Sequence, residues 1–231
     1  MSLQSYKGEF IDFMARCGVL TFGDFTTKSG RKTPYFVNTG NYRTGGQMAE
    51  LGRYYARCYM DNIIGQADIL YGPAYKGIPL VVATVAALYQ HHSLDMPYCF
   101  NRKEAKDHGE GGVMIGQAPK ENDSIVIIED VITAGTALGE TMDLLATTIG
   151  KVNIEALIIQ VDRMEKASGE LSAVEEAEKL HGIKVHPIVT VKEIMAHLHN
   201  RPVDGKIYID DAMLENMKNY LAQYGTKEAL S

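Results

Sequence analysis

Two adjacent acids, Glu129 and Asp130, sit between an apolar run and a turn of small residues, in Ser124-Ile-Val-Ile-Ile-Glu-Asp-Val-Ile-Thr-Ala-Gly-Thr-Ala137. Carboxylates repel phosphate but accept hydrogen bonds from sugar hydroxyls. The turn that follows, Thr133-Ala134-Gly135-Thr136, leads into Ala137–Leu145, where Leu138, Met142 and Leu145 recur at helical spacing. A turn that opens a helix directs unpaired backbone N–H groups and the positive end of the helix dipole at one point, where a phosphate can sit. Acids for hydroxyls beside N–H groups for phosphate form a cradle for a phosphorylated ribose.

These residues need a scaffold. Ile125–Ile128 is an unbroken β-branched run, the pattern of a strand covered on both faces of a parallel sheet. The same rhythm of strand then helix runs on either side. The expected elements are Ile69–Tyr71, Ile78–Tyr89, Tyr98–Phe100, Ser124–Ile128, Ala137–Ile149, Ile154–Val161, Ser172–His181 and Lys184–Val189. The chain is therefore expected to be α/β, a central parallel sheet flanked by helices, with ligands outside the carboxyl ends of the strands. Before this core come a helix over residues 2–17 and two strands within Val19–Asn38. A basic turn, Lys28-Ser-Gly-Arg-Lys32, joins those strands, and a helix from about Thr44 to Asp61 follows. A last helix is expected from about Asp210 to Tyr224. With no internal repeat or linker, the 231 residues read as one domain, with a small N-terminal hood of about residues 1–45 and a core from about 65 on.

Bulk composition narrows the function. A net charge of −6 argues against a nonspecific nucleic-acid binder and requires any phosphate site to be built from local cations and N–H groups. Cys17, Cys58 and Cys99 are odd in number and widely spaced, so neither a disulfide framework nor a CxxC metal site fits, and a reducing cytoplasm is the expected home. The longest apolar stretch, Ile78–Leu88, is too short to span a bilayer, so no membrane association is expected. His197 and His199 stand two apart, on different sides of a helix, and His91 and His92 close another helix; both pairs read as structural.

Residues 125–137 resemble the phosphoribosyl pyrophosphate (PRPP) binding motif of type I phosphoribosyltransferases, with Glu129 where many members carry Asp. Three further segments resemble the orotate phosphoribosyltransferase family, in its order along the chain. They are Lys28-Ser-Gly-Arg-Lys-Thr-Pro-Tyr-Phe-Val-Asn38, Tyr71-Gly-Pro-Ala-Tyr-Lys-Gly-Ile-Pro79 and Asn101-Arg-Lys-Glu-Ala-Lys-Asp-His-Gly-Glu-Gly-Gly112. The resemblance implies the type I phosphoribosyltransferase fold and transfer of the phosphoribosyl group of PRPP to orotate, dependent on Mg²⁺ held through PRPP and water rather than directly by protein. It also implies pyrimidine biosynthesis and a homodimer in which each subunit's lid closes over the other's site.

Residue by residue, the resemblance assigns Lys28 of the hood, Tyr75 and Lys76 to PRPP. It adds Arg102, Lys103, Lys106 and His108 of a polar lid, Arg102–Gly112, which buries little and is expected to be mobile. The ribose 5-phosphate falls to Glu129, Asp130, Val131, Ile132, Thr133, Ala134, Gly135, Thr136 and Ala137. Orotate falls to Phe36, Val37 (Phe in many members), Thr133 and Arg163, whose planar fork suits a carboxylate. Lys106, Asp130 and Lys76 are the catalytic candidates. The competing expectations are a phosphoribosyltransferase for another base, or a PRPP-sensing regulatory protein of the same fold that binds nucleic acid.

Overall fold

A computed structural model describes residues 3–27, 30–106, 112–132, 136–167 and 169–230. Its centre is a six-stranded sheet made of β3 (Ile69–Gly72), β4 (Tyr98–Lys106), β5 (Gly112–Gly116), β6 (Ser124–Ile128), β7 (Asn153–Asp162) and β8 (Lys184–Thr190), in the order β5-β4-β3-β6-β7-β8. All pairings are parallel except β4 with β5. The sheet is thus parallel with one antiparallel edge strand, which the polar reading of residues 102–112 did not foresee. Arg102 to Lys106 continue β4, and Gly112 opens β5, so these ends of the expected lid belong to two paired strands, while residues 107–111 lie outside the described residues.

Alternation of side chains fills both faces. On β6, Val126 and Ile128 face one core cluster together with Leu70, Ala156, Ile158 and Ile188; Ile125 and Ile127 face the other with Ile69, Tyr71, Leu157 and Ile159. The first cluster is covered by α1 (Ser5–Arg16), α2 (Gly45–Asn62), α3 (Gly77–His92), α6 (Val191–Leu198) and α7 (Asp211–Tyr224). The second is covered by α4 (Thr136–Ile149) and α5 (Ala173–His181). Cys58 and Cys99 are buried in these clusters and all three cysteines are free thiols.

The hood hairpin, β1 (Leu20–Thr26) with β2 (Lys32–Val37), is antiparallel and forms its own two-stranded sheet. A short 3₁₀ turn, Thr39–Asn41, leads from it into α2, whose start is fixed by a capping box between Thr44 and Gln47. Of the four histidines expected to be structural, two are paired with acids: His197 Nε2 lies 3.0 Å from Asp12 and His199 Nε2 2.8 Å from Asp211.

Chain order explains where a ligand can enter. From β3 the chain crosses by α3 to β4 on one side, and later returns to β6 on the other side of β3. The direction of winding reverses between β3 and β6, and the loops after these two strands diverge to leave a crevice at their carboxyl ends.

Candidate active site

The crevice is about 350 Å³ and is lined by Pro73, Tyr75 and Lys76 after β3, and by Glu129, Asp130 and Ile132 after β6, among others. At its base Lys76 Nζ lies 2.6 Å from Asp130 Oδ2, and the Thr39 hydroxyl donates to the same oxygen at 2.7 Å. The other oxygen, Oδ1, accepts the Val131 N–H at 2.8 Å. Asp130 is 5% exposed and its carboxylate is thereby paired, while Lys76 reaches in from solvent. The turn that carries Lys76 depends on small residues. A Cβ on Gly72 would meet the Gly77 carbonyl oxygen at 2.3 Å, and one on Gly77 would meet Pro73 Cδ at 2.6 Å. The Ala74–Tyr75 peptide in this turn is cis.

Glu129 is held differently. Its Oε1 accepts the Asp130 N–H at 2.9 Å, and its backbone carbonyl accepts the buried Tyr55 hydroxyl at 2.6 Å. Burial, aided by the Asp130 charge, pushes the Glu129 carboxyl up to about 8; the Asp130 N–H and Lys76 oppose the shift without cancelling it. The site therefore holds, beside the ion-paired Asp130, an acid that takes up a proton readily.

Beside β6, the end of β7 carries Arg163. Its Nε and Nη2 donate to Glu165 Oε1 at 2.9 and 2.6 Å, and its guanidinium lies over the Tyr35 ring at 4.9 Å. Burial acts to lower the Arg163 pKa, but Tyr35 and Glu165 outweigh it and hold the guanidinium charged. Tyr35 is on β2, so the hood and the end of β7 meet here. Its neighbours Phe36, 39% exposed and 6.0 Å from the Phe25 ring, and Val37, half-buried, lie on the same strand.

The structure thus brings Tyr75, Lys76, Glu129, Asp130, Val131 and Ile132 to one crevice, and sets Arg163 at the end of the adjoining strand. Arg102 lies on β4, as do the backbones of Lys103 and Lys106; Thr136 and Ala137 open α4, as a helix-start phosphate cradle needs. Lys28, His108, Thr133, Ala134 and Gly135 lie outside the described residues. Among the described residues no group of three or more His, Cys, Asp or Glu is arranged to hold a metal ion. Sequence reasoning missed Thr39, Tyr35, Arg31 and Glu165. Arg31 and Tyr35 stood in a segment already singled out, but nothing local tied either to Glu165.

Comparison with known proteins agrees with this geometry. The phosphoribosyl transferase domain family matches residues 39–179, more than half of the chain. An orotate phosphoribosyltransferase of Lachnoclostridium phytofermentans is 52% identical over 97% of this chain and 100% of its own, and that of Clostridium beijerinckii is 50% identical over the same shares. The chain belongs to the orotate phosphoribosyltransferase family. It is, accordingly, an enzyme of the transferase class. The crystal structure of the Francisella tularensis orotate phosphoribosyltransferase superposes with a TM-score of 0.81 at 37% identity, covering 94% of this chain and all of the other. As a phosphoribosyltransferase the chain carries its acid pair, Glu129 and Asp130, in the crevice beside the sheet reversal. No helix among the described residues is long and apolar enough to cross a membrane.

Proposed function

We propose that this enzyme transfers the phosphoribosyl group of PRPP to N1 of orotate, giving orotidine 5′-monophosphate and pyrophosphate in pyrimidine biosynthesis. One observation carries the reading: Lys76 and Asp130 meet at 2.6 Å across the sheet reversal, with Arg163 at the next strand end. In the reaction the C1–O bond of PRPP breaks and its electron pair leaves on pyrophosphate. The N1 lone pair of orotate forms the new bond to C1, and the N1 proton departs to solvent or to pyrophosphate.

Each group has a task in that step. Asp130 and Glu129 accept the ribose hydroxyls, which fixes C1 in line between nucleophile and leaving group. Lys76 exchanges Asp130 for the pyrophosphate oxygens, where its charge opposes the charge that builds as C1–O breaks. Tyr75 flanks the same phosphates, as do the lid cations Arg102, Lys103, Lys106 and His108 and, from the hood, Lys28. The turn from Val131 and Ile132 through Thr133, Ala134 and Gly135 to Thr136 and Ala137 takes the 5-phosphate on its N–H groups and helix dipole. Phe36, Val37 and Thr133 contact the base, and Arg163 binds its carboxylate.

Mg²⁺ fits this donor set as a companion of the substrate. The two carboxylates beside the crevice are engaged by Lys76, Thr39 and backbone N–H groups, which suits an ion held mainly by diphosphate oxygens and water. When bound, it would neutralise the departing pyrophosphate. The reading includes a homodimer whose lid, between β4 and β5, serves the partner's site, and a cytoplasmic location, which three free thiols suit.

The test is direct. Purified enzyme with orotate, PRPP and Mg²⁺ is expected to consume orotate, read as loss of its ultraviolet absorbance, and to do so only with all three present. Turnover of uracil or a purine instead, with orotate untouched, would sink the assignment of the base.

A further inference from the structure

Glu165 is the most heavily engaged acid near the site. Its side chain is 8% exposed. Oε1 accepts from Arg163 through Nε and Nη2, and from the Tyr35 hydroxyl at 2.7 Å; Oε2 accepts from Arg31 Nη2 at 2.6 Å. The three donors come from two regions: Arg31 and Tyr35 belong to the hood hairpin, Arg163 to the end of β7. Met164, between Arg163 and Glu165, has φ +52 and its N–H donates to Asp162 Oδ1 at 2.8 Å, so the backbone itself folds the two charged side chains against each other.

A guanidinium can meet carboxylates along two edges. Glu165 takes the Nε/Nη2 edge of Arg163, where Tyr35 also engages the guanidinium, and neither hydrogen bond to Glu165 uses Nη1. One edge is thus fastened from behind while the other remains for a ligand. The charge also matters. Arg31 and Arg163 without Glu165 would present two positive charges, a site for a phosphate; with Glu165 the net is one, suited to a single carboxylate.

We propose that Glu165 is a positioning residue for base recognition: it clamps Arg163 by one edge, with Arg31 and Tyr35 as its anchors, so that the other edge meets the substrate carboxylate. The inference rests on the proposed function, since it takes orotate as the base and Arg163 as its carboxylate contact.

The test is a double-mutant cycle on the full-length enzyme, with KM for orotate and for PRPP measured separately. Glu165→Gln is expected to raise the orotate KM about tenfold, the loss of one charge-assisted contact, with the PRPP KM changed less than twofold. In an Arg163→Leu background the same change is expected to do almost nothing, because Glu165 acts through Arg163. Equal penalties in both backgrounds, or equal rises in both KM values, would overturn the clamp. If Glu165→Gln does not fold, Tyr35→Phe takes its place in the cycle. That change removes one anchor, so a smaller orotate-specific rise that vanishes with Arg163→Leu is expected, and additive effects overturn the clamp in the same way. The underlying reading fails differently: the unmutated enzyme would not consume orotate, or Arg163→Leu alone would leave the orotate KM unchanged.

Discussion

Glu129 keeps a carboxylate where burial opposes its charge, and this carries a cost. Its pKa rises from the ordinary 4.5 to about 8 on folding. The folded state therefore holds a proton that the unfolded chain releases, and the associated stability is present below about pH 4.5 and lost as pH climbs towards 8. Glu129→Gln removes that loss. Its thermal midpoint is expected to exceed the parent's by a margin that widens from pH 5 to pH 8.5, while PRPP binding weakens. A margin independent of pH in melting curves would show that Glu129 does not titrate in this window. Asp130 is engaged by Lys76 and Thr39. Asp130→Asn is expected to lower kcat/KM for PRPP by ten- to a hundredfold, since a charge-assisted hydrogen bond contributes roughly 1.5–3 kcal/mol. Steady-state kinetics with normal folding but an unchanged kcat/KM would remove Asp130 from the site.

Among the elements, the strand-to-helix turn after β3 is the one most exposed to a small change. Gly72→Ala would drive a Cβ to 2.3 Å from the Gly77 carbonyl oxygen and 2.6 Å from Val81 Cγ1, so β3 and α3 must part. The expected cost is about 1–3 kcal/mol of stability in denaturant unfolding, together with lost activity because Lys76 rides on that turn. Wild-type kinetics in a stable variant would mean the turn adapts without moving Lys76. The long elements were legible because their periods are strong: the β-branched run of β6 and the Leu138, Met142, Leu145 stripe of α4 read directly from spacing. β5 was hidden inside a glycine-rich polar stretch, since Gly-Val-Met-Ile-Gly offers only three residues of pattern. α6 was given a helical reading only around His197 and its start was not marked, because β8 runs into it with no turn, Thr190 ending the strand and capping the helix at once. The Glu129–Asp130 half of the site was local in sequence and readable. Arg31, Tyr35 and Glu165 were not, because only tertiary packing joins residues 130 or more positions apart.

For the whole molecule, the proposed sharing of the lid between subunits predicts complementation. Lys106→Ala and Asp130→Asn enzymes, each nearly inactive, are expected to regain activity when mixed under conditions that exchange subunits. A mixed dimer then has one site with both lesions and one with neither, and random pairing leaves about a quarter of all sites intact. Activity that stays at the sum of the two variants, with exchange verified by mass spectrometry, would assign each lid to its own subunit. Helix α7 has a wider bearing on the molecule. Lys166 N–H donates to the Tyr224 carbonyl and Thr226 N–H to the Met164 carbonyl, so the segment holding Arg163 and Glu165 is stitched to the end of α7, whose Tyr224 ring also underlies Arg31 at 5.0 Å. A chain emerging from the ribosome has its sheet strands free before this stitch can form. The crevice proposed for PRPP can take shape during synthesis, whereas the proposed base contact waits until Gly225 and Thr226 have cleared the exit tunnel, so a nascent chain arrested before them would present that crevice without a finished means of choosing the base.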